Sequence, residues 1–310
     1  MENPRVLIIG AGVNGSAVAS GLFTGGVDVT VLARGRRLAE LQVEGVVIEN
    51  PFNHRRTVTR VPVCDHLAPD NIYDFVLVIV RKNQALDLLP LLSQNQSPCF
   101  VFMGNNLVGP AEFINLLGSE RVMMGAVYAA GKRDGSLIRA MVFKSAESPF
   151  GELDGSITPR LKRLAGTLNQ GGFKVKLSSN IIDTQMTHGV GVAIIAMLVV
   201  KHDGKIRQLA RSTDDLKLFV AARREGQQLI HHLGHQVIPR SEELLVKFPI
   251  LVQVLAMRLL LNSKFGEVGL EYHVSQAPDE IRQMAMELRQ LVSQSGIPLP
   301  AIHKILAGEV

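Results

Sequence analysis

The sequence predicts an α/β N-terminal domain, a Rossmann-type doubly wound sheet, followed by an all-α C-terminal domain. Three observations carry this. Short apolar runs alternate with helical stretches through the first half of the chain, the pattern of a sheet wound by crossover helices. The first run opens directly into a glycine turn, Gly10-Ala11-Gly12-Val13-Asn14-Gly15. Beyond Ser178-Ser179-Asn180 the strand signal gives way to long stretches of helical period. The 310 residues exceed what one core of about 250–300 residues supports. The expected division is a nucleotide-binding domain over residues 1–178 and a helical substrate and catalytic domain over 179–310.

The first element is the strand Arg5-Val6-Leu7-Ile8-Ile9. A helix from Ser16 to Phe23, the pair Gly25-Gly26 and a second strand from Val27 to Leu32 follow the glycine turn. Strand, turn, helix and strand in about 30 residues make the βαβ unit of a dinucleotide site. Gly10 permits the tight turn, Gly12 admits the backbone to a pyrophosphate, and Gly15 lets helix pack on strand. Val13 and Asn14 stand at the helix N-terminus, where unpaired N–H groups favour phosphate. An NAD site places an acid at the end of the second strand to hold the ribose 2′-hydroxyl. This chain has Ala33-Arg34-Gly35-Arg36-Arg37 there, with no acid until Glu40. Guanidinium groups bind phosphate as a planar fork, so the expected cofactor is NADP(H), with Arg34 and Arg37 on the 2′-phosphate.

A helix (Leu38 to Val43) leads to Gly45-Val46-Val47-Ile48-Glu49 and to alternating residues from Thr57 to Val63, read as edge strands or a hairpin. Asp74 to Val80 is a continuous apolar run, expected of a parallel strand buried on both faces. Arg81-Lys82-Asn83-Gln84 stands at its C-terminal end, where ligands bind in open α/β sheets. A helix (Ala85 to Leu92) and the strand Cys99 to Met103 come next, running into the polar turn Gly104-Asn105-Asn106-Leu107-Val108-Gly109-Pro110. Arg81 and Asn105 are thereby expected near the nicotinamide. A helix (Ala111 to Leu117) and strands at Arg121 to Val127, Leu137 to Phe143 and Phe173 to Leu177 extend the sheet, with a helix from Pro159 to Gln170.

The second half reads as helices Ile181 to His202, Asp214 to Leu233 and Glu242 to Ser263, the last bent at Pro249. A glycine-broken loop between two helices carries Glu267, Glu271 and His273 and is read as a surface loop or as one facing the cleft. The helix Pro278 to Ser295 begins with Pro at its first position and acids in its first turn, and stops at Gly296. The stretch Leu244 to Leu261 is either core or the face of a homodimer.

Composition narrows the function. Hydrophobic residues make up 46% and charged residues 20% of the chain, and the net charge of +5 is spread in short clusters such as His54-Arg55-Arg56. With no Trp and three Tyr, this is poor material for a nucleic-acid surface, which needs a continuous basic face and stacking aromatics. The longest apolar stretch, Val190 to Val200, falls short of the roughly 20 residues of a membrane span. Cys64 and Cys99 lack metal-ligand spacing. Together with a first strand so near Met1, they point to a cytoplasmic protein with reduced thiols. His231 and His235 are four apart, but Gly234 between them ends the helix, so no metal site is expected.

These residues resemble the ketopantoate reductase (2-dehydropantoate 2-reductase) family, within the 6-phosphogluconate dehydrogenase-like superfamily. The resemblance rests on the Val6 to Gly15 start, Val31-Leu32-Ala33-Arg34, Tyr73 to Val78, Asn105-Asn106-Leu107 and the closing Ser295-Gly296-Ile297-Pro298. It implies NADPH-dependent reduction of a 2-oxo acid to a 2-hydroxy acid in the cleft between domains. It also implies an acid near the C-terminal helix, matched here by Glu280. Two of the family's lysine positions are changed, to Arg81 after the strand and to Met186 in the first helix of the second domain, and Met cannot donate a proton. Three readings follow. His188 acts as the acid, as a histidine does in opine-forming dehydrogenases of similar plan; or Lys82 does so while Arg81 binds a carboxylate; or the chain is an NADP-binding sensor or interaction protein without catalysis.

Overall fold

The structure, a computed structural model, describes residues 3–143 and 146–308. The chain divides into two compact units: Met1–Gly104 with Pro110–Ile181, and Asn105–Gly109 with Ile182–Val310.

The first unit begins with β1 (Arg5–Ile9), α1 (Val13–Thr24), β2 (Asp28–Leu32) and α2 (Gly35–Glu44). A hairpin of β3 (Val46–Glu49) and β4 (Arg56–Thr59) follows, then β5 (Val63–Cys64), β6 (Phe75–Val78), α3 (Lys82–Gln94), β7 (Phe100–Phe102) and α4 (Ala111–Leu117). The unit closes with β8 (Val122–Gly125), β9 (Ala129–Asp134), β10 (Leu137–Val142), β11 (Ser148–Glu152), α5 (Pro159–Gln170) and β12 (Val175–Leu177). Eight described strands form one sheet in the order β12-β11-β8-β7-β6-β1-β2-β5, parallel throughout except for the antiparallel pair β8–β11. The chain runs from β1 outward through β2 to β5 and then returns to β6 on β1's other side. The crevice at the ends of β1 and β6 is therefore the switch point where such sheets bind ligands. The central strands carry the buried side chains Leu7, Ile8, Leu77 and Val101. Their uninterrupted apolar sequence reflects cover on both faces.

Leu137 to Phe143 does not extend this sheet, as the sequence suggested. The turn at Gly135, with φ +60°, folds β10 back on β9, and β10 pairs in parallel with β3. A separate four-stranded sheet, β4-β3-β10-β9, results. It faces α1, where Ser20 Oγ lies 2.7 Å from Thr59 Oγ1.

The second unit is helical: α6 (Ile181–Lys201), α7 (Ile206–Arg211), α8 (Thr213–His232), α9 (Ser241–Leu245), α10 (Ile250–Leu261), α11 (Lys264–Gly266), α12 (Tyr272–Gln276), α13 (Pro278–Ser295) and α14 (Pro300–Ala307). Met186, Val190, Ala193, Ile194 and Met197 of α6 enter its core with Ile281, Met284 and Leu288 of α13. A Cβ on Gly226 would meet Val190 at 2.9 Å, so this glycine lets α8 lie close on α6. At 21 residues α6 is longer than the apolar stretch read from the sequence. By length and composition it could cross a bilayer, yet 67% of its most apolar window is buried in the chain, as in a core helix.

Two helical expectations are corrected. Glu242 to Ser263 is two helices, not one bent helix. Pro249 lacks the N–H that would continue the first and instead caps the second. The segment with Glu267 and Glu271 is no loop but a π turn, Glu267–Glu271, joining α11 to α12. Gly266 is there because a Cβ would collide with the Leu260 carbonyl.

The joint between α6 and α8 rests on Asp215. It accepts from Lys201 Nζ at 2.6 Å and Ser212 Oγ at 2.9 Å, and its Oδ2 lies 2.8 Å from His202 Nε2. Burial alone would raise its carboxyl, but the bonds from Lys201, His202 and Ser212 hold it below the ordinary 3.8. A depressed folded value means that the stabilisation is complete above the unfolded value and is lost as pH falls through the folded one. Asp215→Asn should therefore cost on the order of 1 kcal/mol at neutral pH. Urea unfolding of both proteins across pH should show that difference shrinking toward zero below about pH 4.

Candidate functional site

The glycine turn is built by close approach. Gly10 has φ +112°, and a Cβ there would strike the Ile79 carbonyl beyond β6. A Cβ on Gly15 would collide with the carbonyl oxygen of Gly10. Gly12 differs: a Cβ there would meet nothing within 4 Å, so open space adjoins the turn at the residue expected to face a pyrophosphate. Gly12 caps α1 with no side-chain hydrogen bond, and α1 has no acid in its first turn. Beside it, Asn14 Oδ1 is a buried atom with no partner, one of few such groups in a folded protein. An uncapped helix N-terminus beside open space fits a dinucleotide's phosphates, whereas the orphaned Asn14 oxygen, an acceptor, calls for a donor such as a ribose hydroxyl.

The two arginines assigned to the 2′-phosphate part company. Arg34 caps α2 without a side-chain bond and is exposed; among the described residues nothing pairs with its guanidinium. Arg37 is 10% exposed and fully engaged. Its Nε donates to the Ala11 carbonyl at 3.1 Å, Nη1 to Glu40 Oε2 at 3.2 Å and to the Ser136 carbonyl at 3.4 Å, and Nη2 to Ser16 Oγ at 3.3 Å. It ties α2 to the glycine turn. Glu40 is ringed by Arg36 at 2.9 Å, Arg37 at 3.2 Å and Arg133 at 3.9 Å. Burial pushes its carboxyl up, but the bonds from Arg37 and Arg36 outweigh this and hold it below the ordinary range. This acid is neutralised where it stands.

At the end of β6, Arg81 caps α3, its backbone N–H donating to Gln84 Oε1 at 3.4 Å. Lys82, the next residue, is 3% exposed, with Nζ 3.5 Å from Glu112 Oε1 of α4.

In the second unit the turn Asn105–Gly109 is held by α13. Asn105 Nδ2 donates to Glu280 Oε1 at 2.8 Å, and the Leu107 N–H donates to Glu287 Oε2 at 2.9 Å. Asn106 shapes the turn from within, giving Nδ2 to the Gly109 carbonyl at 2.8 Å and accepting from the Val108 N–H at 3.2 Å. Asn105 and Glu280, each singled out from the sequence, thus meet across 175 positions. Glu287, buried and bonded also to Gln283, escaped notice. Its signal was present, since Glu280, Gln283 and Glu287 fall at spacings of three and four on one line along the helix.

His188 is exposed on α6. Met186, 4% exposed, is the core residue. Two residues are about 200° of helical turn, which puts 188 on the outer side. His231 and His235 turn to separate carboxylates, Glu243 at 2.9 Å and Asp183 at 2.5 Å. Cys64 and Cys99 are both free, and burial pushes the Cys99 thiol up to about 12, far from the thiolate that reactivity needs.

A dinucleotide-binding βαβ turn on a doubly wound sheet, with a helical second unit, defines the class: a Rossmann-fold oxidoreductase. Residues 6–154, 149 of the chain's 310 residues, match the family model described as ketopantoate reductase PanE/ApbA. The fold agrees over the whole length. A 2-dehydropantoate 2-reductase from Geobacter metallireducens GS-15 is 16% identical, covering 98% of each chain with a TM-score of 0.78. One from Methylococcus capsulatus is 18% identical over 98% of this chain and 94% of that, with a TM-score of 0.70. D-mandelate dehydrogenase in a ternary structure with NADH and anilino(oxo)acetate is 13% identical over 98% and 96%, with a TM-score of 0.78. The comparison with curated proteins found no match.

The two arginines should separate in binding experiments. Arg34→Ala should weaken NADPH by about 10- to 100-fold, the value of one or two charge-assisted bonds, and leave NADH nearly unchanged. Arg37→Ala should weaken both alike, because it loosens the turn under the pyrophosphate. Fluorescence titration of each variant with each nucleotide distinguishes the outcomes, and equal loss of both nucleotides in Arg34→Ala would remove Arg34 from the 2′-phosphate.

Proposed function

We propose that this chain is an NADPH-dependent reductase that converts a 2-oxo acid, or a closely related carbonyl compound, to the hydroxy compound. The observation that carries the reading is the 2.8 Å bond between Asn105 and Glu280. The resemblance places both in one reducing site, and the fold joins them although they lie far apart in sequence. Arg34, with Glu40 neutralised behind it, favours NADP(H) over NAD(H). Gly10, Gly12, Val13, Asn14 and Gly15 receive the pyrophosphate, and Arg37 acts as a positioning residue beneath them.

When bound, the nicotinamide supplies a hydride to the carbonyl carbon. The carbonyl oxygen must then gain a proton, and the residues of this chain decide where it comes from. Met186 has none to give. Lys82 is buried against Glu112, an arrangement that suits an anchored cation joining α3 to α4. His188, exposed on α6, supplies the proton. Arg81, always charged, takes the substrate carboxylate. Glu280 fixes the Asn105 amide, and Asn105 orients what binds at the strand end.

His188→Ala should lower kcat by about 10²–10⁴-fold, the usual contribution of a general acid, with NADPH affinity unchanged, whereas Lys82→Met should act mainly on stability. The assay is NADPH oxidation against a panel of 2-oxo acids that includes ketopantoate. Turnover supports the reductase. Tight NADPH binding without turnover on the panel transfers the reading to an opine-type imine reduction or to a nucleotide sensor, and near-normal kcat in His188→Ala removes that residue from proton transfer.

A further inference from the structure

Helix α10 is apolar all round: Ile-Leu-Val-Gln-Val-Leu-Ala-Met-Arg-Leu-Leu-Leu. A helix of that kind is normally enclosed. One side is: Val254 and Leu261 are core residues, and Met257 packs against them. Its two polar side chains also turn inward. Gln253 Nε2 donates to the Phe248 carbonyl at 2.8 Å, while Arg258 gives Nε to the Ala210 carbonyl at 3.0 Å and Nη2 to Thr213 Oγ1 at 2.8 Å. The outer side is left as a stripe at spacings of four, Leu251, Leu255 and Leu259, which are 69%, 56% and 66% exposed. Val252, Leu260 and, just before the helix, Phe248 widen it.

We propose that this stripe is the contact between two copies of the chain, packed antiparallel about a two-fold axis near Leu255. Extent is the first argument. Ten apolar side chains from Leu244 to Phe265 keep 37% to 69% of their surface exposed. That amounts to on the order of 800 Å², about what each partner buries in a standard interface and more than the ~300–600 Å² patch of an ordinary monomer. Self-complementarity is the second. A two-fold contact sets the patch against itself, and a stripe with no polar group matches an identical stripe. The helix dipole is the third. Antiparallel packing about the axis opposes the dipoles of the two helices favourably. A membrane surface suits the stripe less well, because interfacial helices carry a basic polar face, whereas α10 has no outward polar face.

Sedimentation velocity on the full chain at micromolar concentration should give twice the 33.8 kDa chain mass. Leu255→Glu should raise the dimer dissociation constant at least about 100-fold, as for a central anchor residue. The substitution is at an exposed position, so near-wild-type circular dichroism and thermal unfolding of the monomer are expected. Leu255→Cys should cross-link to itself under mild oxidation, since a residue at the axis meets its own copy within disulfide reach, whereas Val43→Cys, exposed elsewhere, should not. A wild-type mass of 33.8 kDa, or a dimer indifferent to Leu255→Glu and uncross-linked at Leu255→Cys, overturns the proposal. So does a monomer that co-sediments with phosphatidylcholine–phosphatidylglycerol vesicles, which would assign the stripe to lipid.

Discussion

The nucleotide-binding unit depends on one steric constraint: the carbonyl of Gly10 sits where any side chain at Gly15 would have to be. That approach sets the start of α1 hard against the end of β1. With Gly10 pressed on the Ile79 carbonyl at the same point, the ends of β1, α1 and β6 form one rigid corner. The position of α2 follows from it, because Arg37 reaches from α2 to the Ala11 carbonyl and Ser16 within the corner. The position of Arg34, at the N-terminus of α2, follows in turn. The group proposed to select the cofactor is thus placed by a chain of short contacts that begins with two missing side chains.

A different force organises the helical unit. Buried carboxylates are costly unless hydrogen-bonded, and α13 buries two, Glu280 and Glu287. Both are satisfied from the Asn105–Gly109 turn, one by a side-chain amide and one by a backbone N–H. The satisfaction is mutual, since the Leu107 N–H is itself buried and needs an acceptor. Glu225 does the same for α14, accepting from the Ala301 and Ile302 N–H groups at 2.9 and 2.8 Å. Carboxylates accepting from amide and backbone N–H groups thus recur in this unit, at Glu225, Glu280 and Glu287.

What could be read from the sequence follows the range of the forces involved. The βαβ start and the buried strands are local patterns, and β1, β6, β7 and α13 lie where periodicity and punctuation put them. The fate of β10 was not local. Its residues suit a strand in either sheet, and only pairing with the distant β3 decides between them. Pro249 was legible as a disturbance but not as a full break, since the first helix already ends at Leu245, ahead of the proline. In the site, glycine spacing and the Arg34 position are sequence-local, whereas the engagement of Arg37 depends on Ser136, 99 positions away. Glu287 was overlooked because a charged residue on an amphipathic helix is read as solvent-facing until its partner is known.

The exchange of Met186 and His188 shows the same principle at the centre of the proposed chemistry. A family position located by counting residues need not be the position that faces outward, because the helix turns about 100° with each residue. At 186 the side chain belongs to the core with Val190, Ala193 and Ile194. A lysine there would have to be desolvated among apolar groups, which disfavours its charged form. At 188 the side chain stands outside that core, where a group can exchange protons with solvent between turnovers. The donor proposed on α6 therefore lies on its outer face, where His188 is exposed and an imidazole can act as a general acid. Geometry, more than residue count, is what supports the proposal that 188 is the donor.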